Sequence, residues 1–344
     1  MKILVRSANW IGDAVMSVPA LRELRRAFPS DRITLHSRSW ADGLFRDADF
    51  IDEIVTYDPA RSRVRDILDN SRFLKADGHD VVILFPNSFE SALTAALSRI
   101  PMRIGYNKDA RGLLLTDPIA VPEWKNRAHE AFYYLELVKA AVRRITGREP
   151  LFAEEPDAHL DVAPERIEEA RKFLASEGVD LARPVVALGV GSTNSLAKRW
   201  PAERYAKLAE LLHSHASVLM LGSKAEADAA AKITELCNAP IVDLSGKTDL
   251  ASAVAVLAAC DAMVSNDMGL AHIAPSVGTR TFVIFGPTNP VTTRPFSPNA
   301  EVISHPVDCS PCMLRECPID HRCMTGISPE FIFERVMNYL SIND

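Results

Sequence analysis

Ala262-Met263-Val264-Ser265-Asn266-Asp267-Met268-Gly269-Leu270-Ala271-His272 is the stretch whose reading decides the fold. The apolar run through Ser265 reads as a buried strand, Asn266 and Asp267 are good helix N-caps, and Gly269 and His272 fall in the first turns of the helix that follows. Strand, tight turn and helix in this order build a pocket at the carboxyl edge of a parallel sheet. The unpaired N–H groups of the first helical turn, aided by the helix dipole, suit a diphosphate, and Gly269 lets a ligand come close. The segment points to a nucleotide or nucleotide-sugar ligand.

Outward from this stretch, short apolar runs alternate with helical patterns twice over. The first half offers strands at Ile3–Arg6, Ile33–Ser37, Glu53–Tyr57, Val81–Leu84 and Arg103–Gly105. The second offers Val185–Leu188, Val218–Leu221, Ile241–Asp243, Ala262–Ser265 and Thr281–Phe285. The alternation predicts an α/β chain of two Rossmann-like, doubly wound parallel sheets. At 344 residues there is room for two domains of roughly 150 residues each, with a cleft between them. A proline- and charge-rich break from Arg148 to Asp157 follows an amphipathic helix around Ala128–Arg144. This divides the chain into domains at 1–155 and 156–327, and 328–344 forms a last helix opened by Ser328-Pro329-Glu330, with its packing left open.

Composition excludes several classes. A hydrophobic share of 47% and a charged share of 24% belong to an ordinary globular protein. The net charge of −6 offers no basic excess to drive counterion release, so no nucleic-acid partner is expected. Met1-Lys2-Ile3-Leu4-Val5 runs straight into polar sequence, without a signal-peptide core, and no apolar stretch approaches the roughly 20 residues that span a bilayer. A cytoplasmic location with at most peripheral membrane contact is the expectation. Ser7-Ala8-Asn9-Trp10-Ile11-Gly12-Asp13 carries one glycine where a nicotinamide fingerprint needs three, which argues against a redox role.

The chemistry-bearing residues read as follows. Asp13 follows the first strand beside Gly12, placed either as a general base or as a helix cap, and Trp10 either stacks on a sugar or closes the core. Gly189 to Asn194 leaves one strand, and Lys198-Arg199-Trp200-Pro201 leads into the next helix. Hydroxyls and cations meet there at a strand end, as neutralising a leaving diphosphate requires. Glu226, after Leu221-Gly222-Ser223, sits where a carboxylate takes ribose hydroxyls or complements a helix dipole, and His272 is a ligand contact or a buried imidazole. Arg61, Arg65 and Arg72 fall within about 40° on a helix, with Lys75 nearby, flanking Val64, Ile67, Ser71 and Leu74. Such a stripe meets an anionic acceptor or lipid heads, or is simply solvated. Cys309, Cys312, Cys317 and Cys323 form C-x2-C-x4-C-x5-C, a candidate structural zinc site against buried or locally paired thiols.

Trp10-Ile11-Gly12-Asp13-Ala14-Val15-Met16, Ala197-Lys198-Arg199-Trp200-Pro201, Asn266 to His272, Phe285-Gly286-Pro287-Thr288 and Cys309-Ser310-Pro311-Cys312 through Cys323-Met324-Thr325 together resemble the bacterial heptosyltransferases of glycosyltransferase family 9. Within that family the resemblance is strongest to the enzymes adding the second heptose of the lipopolysaccharide core. It implies a GT-B fold of two facing Rossmann-like domains, the first binding acceptor and the second ADP-heptose. It also implies an inverting, α1→3 transfer to the first heptose of heptosyl-Kdo2-lipid A at the cytoplasmic face of the inner membrane, with no catalytic cofactor. By motif match Asp13 is the general base and Lys198 the diphosphate cation. Thr193, Asn194, Glu226, Asp267, Met268, Gly269, Leu270 and His272 fall to the donor, while Trp10, Arg61 and Arg65 are left for the acceptor. Met268 departs from the Ser or Thr usual in the family. Alternatives are the enzyme adding the first heptose to Kdo2-lipid A, a nucleotide-sugar 2-epimerase, and a non-catalytic nucleotide-sugar binding protein.

Overall fold

The computed structural model describes residues 1–58, 62–192 and 195–343. The chain divides into two compact units, Met1–Ala158 and His159–Asp344. The first is built on β1 (Lys2–Arg6), β2 (Arg32–Ser37), β3 (Glu53–Thr56), β4 (Val81–Leu84), β5 (Met102–Tyr106) and β6 (Asp117–Ile119). The second is built on β7 (Val185–Gly189), β8 (Ser217–Met220), β9 (Val242–Asp243), β10 (Ala262–Asn266), β11 (Arg280–Phe285) and β12 (Ala300–Ser304). Strand order is β3-β2-β1-β4-β5-β6 in one sheet and β12-β11-β10-β7-β8-β9 in the other. Each neighbouring pair runs parallel.

Helices cover both faces of a parallel sheet, so its central strands are apolar throughout instead of alternating. Val81–Leu84 and Ala262–Asn266 are buried at every position. The order of each sheet reverses between β1 and β4 and between β7 and β10, the two switch points at which a loop leaves each strand on opposite sides and opens a crevice. Ser265 of β10 lies beside Gly189 of β7 in register, which fixes the loops after these two strands side by side.

The ten expected strands are present, and two more, β6 and β12, complete the edges of the sheets. The final helix, Pro329–Asn343, packs on the helix Ala202–His213. Ile332, Val336 and Leu340, spaced by one turn, enter the core that holds Tyr205, Leu208 and Leu212. Among the described residues no helix is long and apolar enough to cross a membrane.

Candidate functional site

In the second unit the site grows from the end of β10. Asn266 is not a helix cap, as its sequence position suggests, because its amide is fully buried and spent on other loops. Its Oδ1 accepts from the Trp200 backbone N–H at 2.9 Å and from the Tyr205 hydroxyl at 3.0 Å. Its Nδ2 donates to the carbonyls of Val190 and Gly191 at 3.0 and 3.2 Å. One amide thus ties the loop after β7 and the segment carrying Lys198 to the strand at the switch point. Asp267 is not the cap either: Met268, in extended conformation, occupies that position ahead of helix Gly269–Ser276, without a side-chain cap. The Met268 side chain packs against Ala271, Val283 and Phe285, a place for a hydrophobe. The backbone donors at Gly269 and Leu270 still open the helix, since the first turn has no preceding carbonyls to bind.

The Asp267 carboxylate is 6% exposed and organises three side chains. Lys198, at the end of the short turn Leu196–Lys198, brings its Nζ to 2.7 Å from Oδ2, and Thr288 donates its hydroxyl to the same oxygen at 2.7 Å. The His272 Nε2 stands farther off, 3.9 Å from Oδ1, while its buried Nδ1 has no hydrogen-bond partner among the described residues. Burial alone would raise the Asp267 carboxyl. The His272 imidazole and the Lys198 ammonium outweigh it and hold the group down at about 2. Thr288 was visible in the sequence only as the end of Phe285-Gly286-Pro287-Thr288, and nothing local announced its role.

Glu226 is buried at the end of the turn Lys224–Glu226. Its Oε2 accepts from the Ser223 N–H at 2.8 Å and the Ser223 hydroxyl at 3.0 Å, a capping box. Its Oε1 reaches over Gly191, where a Cβ would lie 1.9 Å from that oxygen. Glycine is required there because the carboxylate crosses the loop at backbone contact. The structure therefore assembles Lys198, Glu226, Asp267, Met268, Gly269, Leu270 and His272 around the loops after β7, β8 and β10. Thr193 and Asn194, expected beside them, lie outside the described residues.

In the first unit Asp13 is the third residue of helix Ile11–Met16, and Trp10, 60% exposed, is its N-cap residue. Trp10 therefore does not close the core. Asp13 lies near enough to Tyr134 for its charge to add to burial in pushing that phenol well above its ordinary value. Of the basic stripe, Arg61 lies outside the described residues. Arg65 and Arg72 are exposed, and both pair with Asp69 at 3.7 and 3.3 Å, so the stripe is partly neutralised. Val64 does not belong to the apolar face expected for it: it is 67% exposed, whereas Ser71 and Leu74 are buried.

The cysteine segment has a structural task that the spacing did not reveal. Ser310 donates to the Gly286 carbonyl at 2.5 Å, and the Met313 N–H to that of Pro287 at 2.8 Å. On the other side Ala197 N–H and the Ser195 hydroxyl donate to the Arg315 carbonyl, and His321 Nε2 sits 2.6 Å from the Ala197 carbonyl. The segment clasps the two loops that deliver Thr288 and Lys198 to Asp267. Cys309 and Cys312 are exposed, Cys317 is half-buried and Cys323 is buried, all as free thiols. Among the described residues no three His, Cys, Asp or Glu side chains are grouped to hold a metal ion.

A profile of glycosyltransferase family 9 (heptosyltransferase) matches residues 68–322. The chain belongs to this family. Its relatives include lipooligosaccharide heptosyltransferase 2 of Haemophilus ducreyi, 30% identical over 320 residues and 88% of each chain. Lipopolysaccharide heptosyltransferase 2 of Salmonella typhimurium is 30% identical over 315 residues, again 88% of each chain. Among solved structures, the ADP-heptose LPS heptosyltransferase II of Escherichia coli superposes with a TM-score of 0.83 at 26% identity, covering 100% of this chain and 99% of that one. The two Rossmann-like sheets are those of the GT-B fold, and this family member is a glycosyltransferase.

Proposed function

We propose that the chain transfers L-glycero-D-manno-heptose from ADP-heptose to the first heptose of the lipopolysaccharide inner core, with inversion, forming an α1→3 link. The observation that carries the reading is the Lys198–Asp267–Thr288 cluster at the start of helix Gly269–Ser276, on the switch point of a family 9 sheet. It suits a diphosphate that gains charge as it leaves. Lys198 and the helix start neutralise that charge. Asp267 holds Lys198 in place, and its Oδ1 accepts a donor hydroxyl, with the His272 imidazole beside it. Glu226 Oε1 takes a ribose hydroxyl, and the loop of Thr193 and Asn194 completes the phosphate contacts.

Inversion by single displacement needs a base on the acceptor hydroxyl, the role assigned to Asp13. Residues 1–155 serve the acceptor, with Trp10, Arg61 and Arg65 as contacts, and residues 156–327 serve the donor. The Lys198 ammonium and the helix start supply the positive charge that a leaving diphosphate needs, and the step calls for no catalytic metal cation. The acceptor is a lipid A core glycolipid, which places the work at the cytoplasmic face of the inner membrane by peripheral contact. The names of the curated relatives favour the second-heptose reaction over the first. Mass spectrometry of products from ADP-heptose with Kdo2-lipid A and with its mono-heptosylated form tests the reading. One added heptose on the mono-heptosylated acceptor alone is expected; addition only to Kdo2-lipid A, or an epimerised donor with no transfer, overturns it. Asp13→Asn is expected to abolish transfer while ADP binding by calorimetry is retained, and normal turnover would remove Asp13 from the mechanism.

A further inference from the structure

At the carboxyl edge of the first sheet, three neighbouring strands bring their ends to one aromatic ring. Arg6 ends β1, Arg38 follows the last residue of β2, and Tyr57 follows β3. The guanidinium carbons of Arg6 and Arg38 lie 4.5 and 5.1 Å from the centre of the Tyr57 ring. The His36 imidazole packs on the same ring, 4.8 Å between centroids.

The two arginines are engaged differently. Arg6 donates to the carbonyls of Ser7 and His36 and to Asn9 Oδ1, each at 3.1 Å, and so fixes the loop that leads to Trp10 and Asp13. The Arg38 guanidinium has, among the described residues, no hydrogen bond and no ion pair. Its described contacts are the Tyr57 ring and the repulsion of Arg6. Glu90, exposed, is the carboxylate whose charge is felt at Arg6, and it makes no ion pair there. His36 is 2% exposed, its Nδ1 has no hydrogen-bond partner among the described residues, and burial first and Arg6 next push it down to about 3, so it stays neutral and supplies no competing charge.

Half-buried guanidinium groups in structural roles are ordinarily matched by carboxylates, because an unpaired charge loses hydration without recompense. Here burial, and then the neighbouring charge of Arg38, lower Arg6 to about 9. An arriving anion removes that repulsion, and a planar guanidinium fork matches a carboxylate or phosphate in two parallel hydrogen bonds. The place is also the right one, since open α/β sheets bind ligands outside the carboxyl ends of their strands and β1 borders the switch point.

We propose that Arg38, with Arg6 beside it on Tyr57, forms an anion site that takes a carboxylate or a phosphate of the glycolipid acceptor. Arg38 is the binding residue and Arg6 positions the loop. The assignment rests on the transfer reading above and adds to it the group by which the acceptor is held. Arg38→Gln and Arg38→Lys are compared with the unaltered protein on three acceptors: intact, dephosphorylated, and with its carboxylates converted to amides. Calorimetric binding and steady-state kinetics are both recorded. The expected result is a roughly 10- to 100-fold loss of affinity for intact acceptor in Arg38→Gln, partial recovery in Arg38→Lys, and unchanged ADP affinity, with unchanged resistance of the first unit to limited proteolysis reporting its intact fold. The penalty disappears on whichever neutralised acceptor lacks the recognised anion, which identifies the source. An equal penalty on all three acceptors, or none on any, overturns the site. Absence of turnover by the unaltered protein on the intact acceptor counts against the transfer reading instead, and the binding arms still decide the anion site.

Discussion

A single amide decides whether the loop after β7 and the segment carrying Lys198 hold to β10. Asn266, fully buried, satisfies two donors and two carbonyls, and Leu in its stead would leave three of them unpaired, the Tyr205 hydroxyl keeping the Gly189 carbonyl at 3.0 Å. At about 1–3 kcal/mol for each stranded group, partly relieved by shifts of the loops, Asn266→Leu is expected to cost roughly 3–5 kcal/mol, read as a lower urea midpoint for the second unit. Asp267 carries a different signature. Its carboxyl is depressed in the folded chain, so its contribution is fully present above the unfolded value near 4 and is lost as pH falls through about 2. The stability difference between the unaltered protein and Asp267→Asn is therefore expected to be constant above pH 5, roughly 2 kcal/mol, and to shrink between pH 4 and pH 2. Denaturation midpoints measured across that range check it; a difference that grows toward acid would contradict the assignment. Lys198→Ala is expected to raise the KM for ADP-heptose far more than that for acceptor, and kinetics with both substrates varied would expose an acceptor-only defect.

At the scale of elements, the central strands were legible from their continuous apolar runs, because burial on both faces writes itself into composition, and the edge strands β3 and β9 were read from shorter apolar pairs. The two that could not be read are edges. β6 is three residues long and contains Pro118, tolerated where one side of a strand has no partner, and β12 is half-buried along most of its length. The site divides in the same way. Asp267, Lys198 and Glu226 announce themselves by charge at strand ends, whereas Thr288 and the clasp from Ser310 to His321 depend on contacts between loops distant in sequence. Asn266 looked like a cap because caps and buried staples use the same side chain, and only the tertiary partners distinguish them. Gly191 tests the element-level packing directly. Ala at this position would push its Cβ into Glu226 Oε1 and force the carboxylate off its turn. Gly191→Ala is expected to weaken ADP binding by calorimetry at least tenfold while the melting temperature falls only modestly; unchanged ADP affinity would remove Glu226 from the donor site.

For the whole molecule, the last helix joins the second unit's core to its loops. Ile332, Val336 and Leu340 are buried among the side chains of helix Ala202–His213, and the Ile327 carbonyl just before them accepts from Trp200 Nε1 at 3.2 Å and Arg204 Nη1 at 2.6 Å. Trp200 in turn is the residue whose N–H rests on Asn266, two positions from Lys198. A chain stopped after Ser328 keeps every residue assigned to the donor. It loses three buried aliphatic side chains, worth about 1.5–3 kcal/mol each and together comparable with the whole stability of a domain. The first unit buries its own core, with Ile3, Leu4, Val5 and Ile33 fully enclosed. Truncation is therefore expected to unfold the second unit selectively: ADP binding is lost, and limited proteolysis leaves a resistant fragment ending near residue 158. A truncated protein that still binds ADP with its original affinity would show that the helix is an accessory and that Asn266 and the cysteine-segment clasp hold the loops around Asp267 without it.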